Sequence, residues 1–129
     1  MQQKPAPVEG NPRTTREQVV TKAVLKTSEH LGINAATLGK ILGVSPATVS
    51  RMANRSYLLK TNRKEFELGL TFLRLFRGLD AINGGDDRTN KSWIRAKNSV
   101  LGGVPLELIA TIAGLVNTVA YVDTFRAKI

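Results

Sequence analysis

An all-helical fold follows from three stretches of this 129-residue chain, each with apolar residues at three- and four-residue spacing bounded by capping residues. They are the two short helices within Asn34–Arg55 (NAATLGKILGVSPATVSRMANR), a long apolar helix from Arg63 to Leu79, and a run of short helices from Trp93 onward. The expected architecture is an N-terminal bundle over residues 16–64, a central helix over 65–82 and a small C-terminal helical domain over 86–129. Residues 1–15 read as a basic, Pro-containing disordered arm.

The first helix is expected from about Arg16 to Leu31, with Val20, Val24, Thr27 and Leu31 on one face and Thr14 or Thr15 as its cap. Gly32 followed by Ile33 suits its C-terminal end, and His30 in the last turn suits the negative end of the helix dipole. Next, Asn34 caps a second helix whose inner face is Leu38, Ile41 and Leu42, and Gly43 ends it in the left-handed conformation. Ser45 caps a third helix that opens on Pro46, with Val49 and Met52 turned inward three residues apart. Gly39 falls where the two helices press together, and Val44 plugs the turn from below.

A close helix contact, a tight turn and an exposed second helix make a helix-turn-helix, and double-stranded operator DNA is the partner it predicts. When the second helix of the motif lies in the major groove, Ser45, Ala47, Thr48 and Arg51 are placed over base edges. Arginine pairs best with guanine, and the small residues suit thymine methyls. Ser50, Asn54 and Arg55 are within reach of bases or phosphates, and Asn34 opens a helix N-terminus suited to a phosphate.

The charge distribution agrees with this reading. Residues 1–64 hold eleven Lys and Arg against three Glu, whereas residues 65–129 hold eight against seven acids, so the net charge of +9 is almost confined to the first half. Arg13, Arg16, Lys40, Lys60, Arg63 and Lys64 are candidate phosphate contacts.

The central helix carries Phe66, Leu68, Leu70, Phe72, Leu73, Leu75, Phe76 and Leu79, too many for one stripe, and is expected to be buried on two sides. One side suits the N-terminal bundle. The other faces either the C-terminal helices or a second copy, and a symmetric homodimer reading two half-sites about 34 Å apart is the economical choice. After the loop AINGGDDR, Asp86 and Asp87 read as a charge pair at a helix start rather than a metal site.

Several function classes are excluded. The chain has no cysteine, no apolar run long enough for a signal peptide or a membrane span, and no nucleophile–base pair, metal-ligand cluster or phosphate-binding glycine loop. A soluble, cytoplasmic, non-enzymatic protein with no cofactor is expected.

In the last part, Trp93 and Asn98 precede the turn Leu101-Gly102-Gly103, then Pro105-Leu106-Glu107-Leu108, Thr111 as a cap, and Gly114-Leu115. This order resembles the C-terminal toxin-binding domain of the Xre/MbcA/ParS antitoxins. With the preceding Xre-like helix-turn-helix, the resemblance covers about Arg16 to the end. It implies a bacterial type II antitoxin that represses its own operon and pairs, as a dimer within a larger complex, with a RES-domain toxin that consumes NAD. In that family the C-terminal domain obstructs the toxin's NAD pocket. The resemblance therefore marks Trp93, Asn98, Leu101, Gly102, Pro105, Leu106 and Glu107 as toxin-domain positions, some of which build the fold. Arg126 and Lys128, near the free end, are further candidates for toxin contact. The chain departs from the usual pattern in its long basic arm and in Val104, where a polar residue is frequent.

Overall fold

The computed structural model describes residues 11–126, so most of the expected arm, and Lys128, lie outside the described residues. Seven helices follow one another: α1 (Pro12–Leu31), α2 (Ala35–Leu42), α3 (Pro46–Ala53), α4 (Lys64–Ile82), α5 (Asp87–Arg95), α6 (Pro105–Leu108) and α7 (Ile112–Arg126). The described residues contain no strand beyond a single bridge between Asn98 and Gly103.

α1 starts at Pro12, four residues ahead of the expected Arg16, and neither Thr14 nor Thr15 is its cap. Asn11 is: its side chain accepts from the amides of Arg13 and Thr14 at 3.0 and 3.3 Å. The Asn–Pro pair makes the better start because proline is preset at the first helical position and asparagine outranks threonine as a cap. The C-terminal end is as expected, with Gly32 left-handed at φ 66° and the Ile33 amide bonded to the Ser28 carbonyl at 2.8 Å.

α4 is the spine of the molecule. α1 and α2 cover one side and α7 covers the other. Of the two coverings considered for its second face, the chain's own C-terminal helix lies there, which makes 65–82 the core helix of the molecule. The reason is shape. Gly78 lets α7 come so close that a β-carbon there would stand 2.6 Å from a methyl of Val122, and Leu75, Leu79, Leu115, Val119 and Val122 close over one another without solvent. One apolar core runs from Val20 on α1 to Val122 on α7, so the two halves of the chain share it.

Polar ties fasten the halves at the end of α1. His30 Nδ1 lies 2.8 Å from an Asp87 carboxylate oxygen, and its ring stacks on Phe76 at 5.6 Å. Arg95 donates to the Gly32 carbonyl at 2.9 Å, satisfying a C-terminal acceptor of α1. Asn90 is completely buried, donating to Asp80 at 3.0 Å and accepting from Asn83 at 2.8 Å. Asp86 caps α5, as its position suggested, and bonds from Thr89 hold its carboxyl below the usual range. No group of acids and histidines among the described residues is placed to hold a metal ion.

Candidate functional site

The α2–α3 unit forms as its caps dictate. The Asn34 side chain accepts from the Thr37 amide at 2.8 Å, Gly43 is left-handed at φ 74°, and the Ser45 hydroxyl accepts from the Thr48 amide at 3.1 Å. Val49 and Met52 are buried beside Leu38, Ile41 and Leu42, which fixes the opposite side of α3 in solvent. Ser45, Ala47, Ser50 and Arg51 are exposed there, and Thr48 is half-buried.

Three of these side chains are joined. The Ser45 and Thr48 hydroxyls are 3.0 Å apart, and Arg51 Nη2 donates to Thr48 Oγ1 at 3.0 Å. The guanidinium is thereby drawn toward the N-terminal end of α3, the end that enters the groove in this motif. A guanidinium has five N–H donors and no acceptor, so the groups left over suit the two acceptors on a guanine edge.

Asn54 and Arg55 behave differently from Arg51. The Asn54 side-chain oxygen accepts from the Ser56 hydroxyl at 2.6 Å and its amide at 3.1 Å, so it serves to end α3. Arg55 is the one non-glycine residue among those described with positive φ, at 69°. Its amide bonds the Met52 carbonyl at 3.1 Å, which puts it in the left-handed slot that glycine usually fills after a helix. Its exposed side chain stands beside the recognition helix.

Further basic residues lie on α1 and on the segment that leads into α4. Arg16 lies over the Phe66 ring at 5.3 Å and Lys60 over Tyr57 at 5.1 Å. Arg16, Arg63 and Lys64 line an open cleft of about 540 Å³ at the start of α4. Among the described residues no helix is long and apolar enough to cross a membrane.

In the C-terminal half, the 98–103 loop is built around Asn98. Its side-chain oxygen accepts from the amides of Val100 and Leu101, both at 3.0 Å, while its backbone pairs with Gly103 at 2.8 Å. Gly102 sits at φ 83° in this turn. Pro105 is buried, Leu101 and Leu106 are half-buried, and half-buried Trp93 stacks on Tyr121 at 6.4 Å. Thr111 caps α7 by accepting from the Gly114 amide at 3.0 Å.

Two family models match the chain: the antitoxin Xre-like helix-turn-helix domain over residues 12–74, and the antitoxin Xre/MbcA/ParS C-terminal toxin-binding domain over residues 78–128. The chain belongs to the Xre-type antitoxins. No curated protein matches it. The antitoxin therefore combines a DNA-binding motif with a toxin-binding domain, and it is not an enzyme.

Within the antitoxin, the residues expected to meet DNA, Asn34, Ser45, Ala47, Thr48, Ser50, Arg51, Asn54 and Arg55, lie on or flank the exposed edges of α2 and α3. The residues marked for the toxin do not form one exposed surface. Trp93, Asn98, Leu101, Pro105 and Leu106 are engaged in building the domain, and of the described set Gly102, Glu107 and Arg126 are exposed.

Two carboxylates escaped the sequence reading. Buried Glu17 accepts from the Thr61 amide at 2.8 Å, and buried Glu65 from the Lys60 amide at 2.9 Å and the Tyr57 hydroxyl at 2.6 Å. Together with Thr21, which accepts from the Leu59 amide at 2.9 Å, they fasten the connection after α3 onto α1 and α4. Burial and the Glu65 carboxylate push the Tyr57 phenol above its ordinary range. No local spacing marks these residues, because their partners are loop amides presented only after folding.

Proposed function

We propose that this antitoxin represses its own operon by laying α3 in the major groove of operator DNA and neutralises a RES-domain, NAD-consuming toxin through its C-terminal half. The observation that carries the DNA reading is the exposed Arg51 guanidinium, bonded to Thr48, which in turn meets Ser45 at the leading end of α3. Ala47, Ser50 and Arg55 flank it, while Arg16, Arg63 and Lys64 supply phosphate attraction. A homodimer matching two half-sites completes the proposed repressor. The RES identity of the toxin, and obstruction of its NAD pocket, rest on the family resemblance.

Arg51→Ala is expected to lose discrimination at one base pair, at a cost of about 1–3 kcal/mol, while Lys64→Ala weakens binding to every sequence alike and lowers the salt slope by about one. Gel-shift titrations on operator and random DNA at two salt concentrations separate these effects. Equal loss on both DNAs for Arg51→Ala removes base readout by that residue.

NAD consumption by the cognate toxin is expected to stop when the full antitoxin is added in stoichiometric amount. Undiminished consumption in the presence of a formed complex would end the pocket-obstruction reading.

A further inference from the structure

α7 lacks the polar stripe that a helix on a protein surface normally carries. From Ile112 to Val122 it contains no charged residue. Leu115, Thr118, Val119 and Val122 are buried on its inner side. On the opposite side Ile112 and Val116 are 63% and 52% exposed, and Ala113, Asn117 and Ala120 are exposed between and beyond them. The spacing 112, 113, 116, 117, 120 and 124 traces one continuous helix face. Apart from Asn117 and Thr124 this face is apolar and it carries no charge, and such a helix surface is ordinarily enclosed, so among the described residues it lacks a cover.

The charges at the far end of α7 do not supply a polar stripe. Asp123 is paired with Arg74 at 2.5 Å, and Arg126 packs its stem near Gly78.

We propose that this outer face of α7, centred on Ile112 and Val116, is the surface on which the cognate toxin seats, an inference that rests on the toxin-neutralising reading above. The face lies within residues 78–128, the segment that matches a toxin-binding domain. Its lack of cations makes it unfit for nucleic acid, whose phosphates need them. It fits a protein partner with an apolar, uncharged contact patch, because charged residues are depleted from the centres of protein interfaces. Most of the residues that define the domain are engaged in building it, whereas nothing among the described residues buries this face.

The test is capture of the tagged toxin encoded with this antitoxin, coexpressed with the full chain carrying Val116→Glu or Val116→Arg. Val19→Glu is the control, since Val19 is an equally exposed apolar residue, at 61%, on α1. Both Val116 variants are expected to bind toxin about tenfold more weakly or worse, whatever the sign of the new charge. They should melt at the wild-type temperature and shift operator DNA as before, and the Val19 variant should capture toxin normally.

Wild-type capture by both Val116 variants overturns the proposal, as does equal loss in the Val19 control. A third overturning result is a Val116 variant that still holds toxin but turns from dimer to monomer, because the face would then belong to a second copy. If the unaltered antitoxin captures no toxin, the toxin-neutralising reading falls and this inference falls with it.

Discussion

Gly114→Ala is expected to cost the antitoxin about 3 kcal/mol or more and to abolish toxin capture. A β-carbon at Gly114 would land on the Leu108 carbonyl group and press on Thr111 Oγ1. The obstacle is backbone. The turn between α6 and α7 cannot simply rotate away, because the Thr111 amide bonds the Leu108 carbonyl at 3.3 Å and the Thr111 hydroxyl caps α7 through the Gly114 amide. Forcing the first turn of α7 outward would lose that cap and pull Leu115 and Ile109, both fully buried, apart. Because α7 covers α4 and both halves share one core, the loss should lower the temperature of the whole unfolding transition. Thermal unfolding followed by circular dichroism checks this, and an unchanged midpoint with intact toxin capture would refute it.

Gly39→Ala is expected to remove operator binding while leaving toxin capture largely in place. Its β-carbon would stand 2.6 Å from the Val44 carbonyl oxygen, again backbone, with Pro46 N and the Ser45 carbonyl carbon at 3.5 Å. Val44 is pinned by its own amide bonding the Gly39 carbonyl at 2.9 Å, so relief requires α3 to move off α2. That movement costs about 1–3 kcal/mol by overpacking. It also tilts the Ser45–Thr48–Arg51 row away from the angle at which α3 meets the groove, where contacts between rigid elements tolerate little displacement. Gel shifts of the variant on operator DNA, beside toxin capture from the same preparation, measure both consequences. Operator affinity within twofold of wild type would show that the close contact is dispensable.

These two glycines differ in how readily they can be recognised. Gly39 is legible because the motif around it is closed by local chemistry: Asn34, Gly43, Ser45 and Pro46 act within a turn of where they stand, and all four do what their residue types dictate. The same locality accounts for Gly32, Asp86 and Thr111. It also explains why α1 starts at Pro12, since the Asn11–Pro12 pair is a stronger local signal than the threonines that follow. Gly114 stands out only through the family resemblance, and the carbonyl that forbids a side chain there comes from a different turn.

Other features lay outside local reach. Asn98 is marked by the resemblance alone, and only the fold shows its oxygen organising the loop that follows. Glu17 and Glu65 carry no local signal that sets them apart from other acids, yet they hold loop amides in the interior. α4 announced that it would be buried twice without saying by what, since an apolar face specifies only that water must leave.

The sequence by itself determined the helices, their caps, the helix-turn-helix with its outward Arg51, and the concentration of positive charge in the first half, because each depends on residues within a few positions or on composition. Only the tertiary structure decided that α7 occupies the second face of α4 and that, among the described residues, nothing covers its own outer face. Those outcomes depend on which distant surfaces fit, with Gly78 admitting Val122, and the shape of a contact is not carried by the spacing of apolar residues.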